Sequence, residues 1–215
     1  MRARPRGLLI DWGGVLTQLP DATVEVWARA EGIDYDHYQQ LIDSWLEPLT
    51  ETEPQSPVHA VERGEIEVSD FERRLASSIR RHDQQPVSDD GLLDRMFKYF
   101  AVAPEMIALV AQIKQLGVRT GLLSNSWGNS YPREGWDELF DVVVISGEVG
   151  MRKPEPEIFR YATDLLGVPP AECVFVDDLT ANVTAAKSLG LTVVLHRSYD
   201  ETRDQLQHVF GATFA

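Results

Sequence analysis

Apolar positions along this chain fall into short continuous runs separated by longer periodic stretches. The runs are Gly7–Asp11, Arg119–Ser124, Val142–Ser146, Val174–Asp177 and Thr192–Leu195. Their length, and the lack of polar alternation within them, predict buried strands. Between them lie helical patterns. Pro104–Leu116 opens on proline and stops at Gly117, Glu155–Leu166 stops at Gly167, and Leu179–Leu189 stops at Gly190. These are residues that favour helix starts and ends. Ala181, Ala185 and Ala186 give Leu179–Leu189 a small-residue face. Strands alternating with helices predict an α/β fold built on a doubly wound parallel sheet.

Residues 18–99 break the alternation. They hold no convincing core strand and read as the helices Ala22–Glu31, Tyr35–Trp45, Val58–Arg63, Ser69–Arg81 and Asp89–Tyr99, punctuated by Pro48, Pro54 and Pro57. The expected organisation is therefore a core from residues 1–17 and 100–215, with a helical domain of residues 18–99 inserted after the first strand. A segment that leaves the carboxyl end of a strand and returns is well placed to shape a site there.

Composition narrows the classes. A chain of 215 residues with 43% hydrophobic residues can bury one sizeable core and carry an insertion. No apolar run approaches the roughly 20 residues that span a bilayer. The start, Met1-Arg2-Ala3-Arg4-Pro5-Arg6, is basic, but the apolar run behind it is too short for a signal peptide. The single cysteine, Cys173, borders a buried run and reads as a core residue. A cytoplasmic protein without disulfides is expected. The net charge of −14, from 20 basic and 34 acidic residues, argues against nucleic-acid binding. An acidic chain that takes a phosphate must supply positive charge locally. The five histidines form no ligand spacing, so no zinc site is read.

Candidate chemistry begins where the first run ends. Asp11 closes it, and Gly13-Gly14 follow at once. Such a carboxylate, at a strand's carboxyl end before a turn, sits where open α/β sheets hold their ligands. Three further stations follow: Ser124-Asn125 at the end of the second run, Lys153 within Gly150-Met151-Arg152-Lys153-Pro154-Glu155, and Asp177-Asp178 after Cys173-Val174-Phe175-Val176. Each alone has a plainer reading as an acidic turn, a Ser/Asn cap or a surface lysine. In this order and spacing they resemble the haloacid dehalogenase-like hydrolase superfamily, most of whose members are phosphatases. Met151–Phe159 and Phe175–Gly190 carry the resemblance most closely. The likeness is to members with a helical cap, such as sugar-phosphate phosphatases and the phosphatase domain of soluble epoxide hydrolase. Glu62-Arg63-Gly64-Glu65-Ile66, followed by Asp70-Phe71, is similar to a turn between cap helices in that group.

The resemblance implies roles. Asp11 is the expected nucleophile, forming an aspartyl-phosphate, which divides hydrolysis into two easier steps. Ser124 and Asn125 hold phosphoryl oxygens, and Lys153 neutralises charge that accumulates on them in the transition state. Magnesium is the expected cofactor, held by Asp11, Asp178 and the Gly13 carbonyl. Asp177 supports Lys153 or the metal's water shell, and Asn182 meets a metal-bound water. Arg152 is expected to point outward. Trp12 and Trp127 are expected at the pocket mouth, whereas Trp136 reads as packing.

One position departs from the pattern. Most phosphatases of the superfamily carry an Asp two residues after the nucleophile, where it serves as general acid and base. Here that residue is Gly13. The carbonyl remains, but a carboxyl worth about 10²–10⁴ in rate is gone. The leading reading is a magnesium-dependent phosphatase of a small phosphomonoester, with a sugar phosphate as one substrate class. The alternatives are a catalytically weak ligand-binding or regulatory protein on the same fold, and a haloacid dehalogenase. The latter needs no metal, so the Asp177-Asp178 pair argues against it.

Overall fold

The computed structural model describes residues 5–18, 20–46 and 56–214. The Met1–Arg4 part of the basic start, and Pro48 and Pro54, lie outside those residues. Five strands carry the core: β1 (Gly7–Ile10), β2 (Arg119–Ser124), β3 (Val142–Ile145), β4 (Cys173–Asp177) and β5 (Thr192–Leu195). They form one parallel sheet in the order β3-β2-β1-β4-β5. The chain thus works outward from β1 through β2 to β3, then returns to lay β4 on the other side of β1. This reversal leaves a crevice at the carboxyl ends of β1 and β4, the ligand position of open α/β sheets. Ile10 pairs with Val176. Asp11 continues the ladder, donating its N–H to the Val176 carbonyl at 3.0 Å. Two acidic strand ends are side by side for that reason.

Helices α1 (Pro20–Glu31), α2 (Tyr35–Leu46), α3 (Pro57–Glu62), α4 (Val68–Ser78) and α5 (Leu92–Phe97) stand between β1 and the next core helix, α6 (Pro104–Gln115). After β2 come α7 (Trp136–Leu139), α8 (Ser146–Val149), α9 (Pro156–Leu166), α10 (Thr180–Ser188) and α11 (Tyr199–Phe210). Side chains alternate across the sheet, and both faces are covered. Leu8, Ile10, Leu122, Val174 and Val176 pack against α6 and α11 through Leu109, Ile113, Leu206 and Phe210. Leu9, Leu123 and Phe175 pack the opposite way, against Ile158, Phe159, Ala162 and Ala186 of α9 and α10. Strands buried on both faces explain why the sequence runs are apolar throughout.

Helices α1–α5 bury a separate cluster around Trp27, Phe71, Leu75, Leu92 and Met96. Chain entry and exit are tied together. Gln18 donates to the Ala101 carbonyl at 2.9 Å, and Ala103 to the Leu16 carbonyl at 2.8 Å. A single antiparallel bridge joins Thr17 to Val102 between them.

The short helices α7 and α8 are absent from the sequence reading, which runs the third strand through Ser146, and three further differences each have a local reason. Helix α4 stops at Ser78, not Arg81, because Ile79 is extended and Arg81 forms an antiparallel bridge with Ile33. Helix α5 starts at Leu92, not Asp89, because the Arg95 guanidinium reaches back to the carbonyls of Ser88 and Asp90 and holds that segment in a turn. Helix α11 was not anticipated. Its Ser198 hydroxyl accepts the Glu201 N–H at its start, and Thr202, Leu206 and Phe210 are its buried face.

The insertion meets the core where the turn after α3 lies against α8. Gly64 has φ +66°, and a Cβ there would lie 2.6 Å from the Gly147 carbonyl oxygen. Both the backbone conformation and the space demand glycine. Gly64→Ala is expected to cost about 2–3 kcal/mol, combining left-handed strain with a forced shift of the contact. Chemical denaturation with Gly64→Ala and, as control, Gly117→Ala measures it. Gly117 shares the positive φ but its Cβ meets nothing, so only the strain remains there.

Candidate active site

Lys153 stands at the centre of the crevice. It lies in the loop between α8 and α9, yet is 1% exposed. Its Nζ lies 2.7 Å from Asp11 Oδ1 and 2.7 Å from Asp177 Oδ2. Burial alone lowers a lysine pKa, but the two carboxylates outweigh it and hold the ammonium above its ordinary value. Asn125, just past β2, fixes the loop. Its Oδ1 accepts the Lys153 N–H at 2.8 Å, and its Nδ2 donates to the Lys153 carbonyl at 2.9 Å.

The two strand-end aspartates of β4 have different surroundings. Asp177 is fully buried. Its Oδ1 accepts the Leu179 N–H at 2.8 Å, Asn182 Nδ2 lies 2.9 and 3.1 Å from its two oxygens, and Oδ2 takes the Lys153 ammonium. Asp178 is half-buried and lines the cavity. Asp11 receives the Trp12 N–H at 2.7 Å on the same Oδ1 that meets Lys153. Desolvation raises the pKa of its carboxyl, with Lys153 opposing and the charges of Asp177 and Asp178 reinforcing the rise.

One oxygen from each of Asp11, Asp177 and Asp178 lies within 4.8 Å of the others. Three carboxylates against one ammonium leave an excess of negative charge, carried by hard oxygen donors. That chemistry fits a magnesium ion. Because Asp177 is engaged by Lys153, Asn182 and Leu179, the carboxylates that face the cavity are Asp11 and Asp178. A divalent cation against them opposes the rise in the Asp11 pKa.

Gly13 lines the cavity beside Asp11. The turn's left-handed residue is its neighbour Gly14, with φ +73°, whereas the φ of Gly13 is not left-handed. A Cβ at Gly13 would meet nothing within 4 Å. Neither a left-handed backbone nor a non-neighbouring atom requires glycine there, and Trp127 does not crowd the position.

Ser124 Oγ lies 2.9 Å from the Tyr131 hydroxyl. Tyr131 lines the cavity, and burial pushes its phenol up to about 12, so it stays a neutral donor. Sequence reasoning did not find Tyr131, since nothing in Asn129-Ser130-Tyr131-Pro132 separates it from a loop residue. Arg152 corrects an expectation. Instead of pointing outward it is 13% exposed, with Nε 2.5 Å from Glu62 Oε2 of α3. Burial raises the Glu62 pKa, with Arg152 opposing. Arg63 pairs in turn with Glu155. Trp127 stacks edge-on with Phe71 of α4 at 5.3 Å and lines the cavity, as does Trp12. Trp136 is buried in the core cluster with Trp12.

The cavity over these residues has a volume of about 1180 Å³ and lies between the strand ends and α1–α5. Among the described residues no helix is long and apolar enough to cross a membrane.

Known proteins resemble this chain in sequence and in fold. Bifunctional epoxide hydrolase 2 of Rattus norvegicus is 26% identical over 176 residues, covering 75% of this chain and 32% of its own. Phosphatase MT3486 of Mycobacterium tuberculosis is 24% identical over 210 residues, 92% of this chain and 89% of its own. The chain spans only 14% to 46% of the length of the first relatives it matches. A HAD family enzyme from Bacteroides thetaiotaomicron, solved as a magnesium complex, superposes with a TM-score of 0.69 at 22% identity, covering 97% of this chain and 99% of the other. Residues 5–190 match the family model of the haloacid dehalogenase-like hydrolases, and the chain belongs to that hydrolase family.

Proposed function

We propose that this protein is a magnesium-dependent phosphatase that cleaves a phosphomonoester through an aspartyl-phosphate on Asp11. One observation carries the reading: a buried ammonium bridges two carboxylates at adjacent strand ends, 2.7 Å from each, with a third carboxylate facing the same cavity. The relative named a phosphatase, matched over most of both chains, supports it. Residues 18–99 act as the cap over this site, and Cys173, buried and unpaired, suits a cytoplasmic setting.

In this reading the Asp11 carboxylate attacks phosphorus, the bond from phosphorus to the alcohol oxygen breaks, and that oxygen leaves with the electron pair. Water then attacks the aspartyl-phosphate, releasing phosphate and restoring Asp11. Lys153 orients Asp11 through Oδ1 and offsets charge on the phosphoryl oxygens. Ser124, with its hydroxyl against Tyr131, contributes an O–H donor. Asn125 acts by holding the Lys153 loop, and Asp177 by fixing the ammonium. Asp11, Asp178 and the Gly13 carbonyl would hold magnesium, which supplies Lewis-acid stabilisation of the phosphoryl group when bound. Asn182, its amide on Asp177, sets that carboxylate's orientation.

Asp11→Asn is expected to fold normally and lose turnover of an aryl phosphate. Wild-type turnover by the purified, folded variant removes Asp11 from the nucleophile's role.

Magnesium should stabilise the protein by about 2.7 kcal/mol at a hundredfold its Kd. Asp178→Asn should lose most of that gain, whereas Asn129→Asp, on an exposed loop, should keep it. Thermal or chemical denaturation with and without magnesium makes the comparison, and an equal gain in Asp178→Asn would exclude Asp178 as a ligand.

Without a carboxyl at Gly13, the departing oxygen carries more negative charge in the transition state. Values of kcat/KM across aryl and alkyl phosphates should fall steeply as leaving-group pKa rises. Gly13→Asp, which the open space and ordinary φ accommodate, should flatten the slope and raise the poorest substrates by about 10²-fold or more. Equal slopes in two folded, active proteins would mean that another group already delivers the proton.

A further inference from the structure

The residues that would meet a phosphoryl group line only one end of the cavity. At about 1180 Å³ it exceeds the roughly 300–1,000 Å³ of ordinary small-molecule pockets. Its walls away from Asp11 are divided by burial. The buried lining residues there are mainly apolar or aromatic: Tyr38, Val58 and Met96, with Ile42, Phe97 and Trp127 packed against the same cluster. The exposed polar residues Gln39, Asp43, Asp94 and Lys98 stand at the rim. Leu46 and Leu179 also line it, 43% and 56% exposed. Large aliphatic side chains are therefore left in contact with water at the mouth of an apolar chamber.

Charge limits the ligand further. The cations inside are already matched, Lys153 by Asp11 and Asp177, and Arg152 by Glu62. With a divalent ion on the acidic cluster, one phosphoryl group can be met, but no buried cation among the described residues remains for a second anionic group. A hydroxyl-rich alcohol would exchange hydration for apolar walls at a cost.

Resting on the phosphatase reading, we propose that the substrate is the monophosphate of a predominantly hydrocarbon alcohol, whose chain or ring fills the chamber under α1–α5. This narrows the phosphomonoester reading to an apolar class and departs from the sugar-phosphate expectation. The alcohol is supplied as a single phosphoester, and the products are inorganic phosphate and the free apolar alcohol.

The test uses n-alkyl phosphates from ethyl to decyl, whose leaving-group pKa values are nearly constant, so chain length varies alone. The matching n-alkylphosphonates, which cannot be hydrolysed, are titrated calorimetrically with magnesium present. Both kcat/KM and phosphonate affinity should rise about fourfold per methylene, the equivalent of about 0.8 kcal/mol per buried CH₂, until the chamber is full. Octyl phosphate should exceed glycerol phosphate and a hexose phosphate. Ile42→Asp and Phe97→Asp should flatten the dependence on length. A flat phosphonate series, or preference for the hexose phosphate, overturns the proposal. Phenyl phosphate separates the two readings. Its turnover alongside a flat series sinks only the apolar class. Its inertness alongside a rising phosphonate series sinks the phosphatase reading and leaves an apolar-phosphate binder.

Discussion

The site depends on one buried ammonium shared by two carboxylates. Desolvating three charged groups is expensive, and their mutual attraction offsets it only when geometry and further hydrogen bonds are good. Those conditions are met by separate parts of the chain. Parallel pairing of β1 with β4 puts Asp11 and Asp177 side by side. Asn125 grips the Lys153 backbone from the end of β2. Asn182 and the Leu179 N–H complete Asp177 from the start of α10. Removing the ammonium from such a buried set leaves charge uncompensated and typically costs about 3–5 kcal/mol, whereas Asp11→Asn leaves Lys153 matched by Asp177. Fold and chemistry therefore rest on the same contacts.

Environment then separates three chemically identical carboxyls. Asp177 spends both oxygens on donors behind the site and cannot also face a ligand. Asp11 holds the ammonium through Oδ1 while its side chain borders the cavity. Asp178 follows Asp177 immediately and emerges on the cavity side, since successive side chains leave a strand end in opposite directions. Adjacent positions in the sequence thus give one positioning group and one outward-facing donor.

How much of this the sequence reveals follows the range of each interaction. The five strands are legible because burial on both faces imposes continuous apolar runs, and the strand-end aspartates because they interrupt those runs. The placement of Lys153 between Asp11 and Asp177 comes from resemblance, not from spacing. Helix α11 escaped notice because its exterior is highly polar, although Ser198 with Glu201 three residues on is a readable helix start. Arg152 was not legible, because its partner Glu62 lies 90 residues earlier, and next to a buried lysine it looks like a surface residue. At Gly13-Gly14 the sequence reports two glycines but not which of them carries the left-handed angle. Only backbone conformation separates the obligatory glycine from the replaceable one.

The link between insertion and site also follows from Arg152. Glu62 reaches from α3 to Arg152, and Arg63 to Glu155, so these two ties land on the loop that carries Lys153, while Asp94 of α5 meets Ser130 beyond β2. Arg152 is also the residue next to the central ammonium in the chain. The two hydrogen bonds from Asn125 are made to the backbone of Lys153 itself, on the side of β2. They anchor that residue to the sheet independently of the insertion. Bonds to a rigid strand end resist displacement better than an ion pair between two long side chains, whose rotamer freedom allows them to follow small shifts. Asp11, Lys153 and Asp177 are thus held by contacts made within the core, and preorganised charge of this kind is what electrostatic catalysis requires.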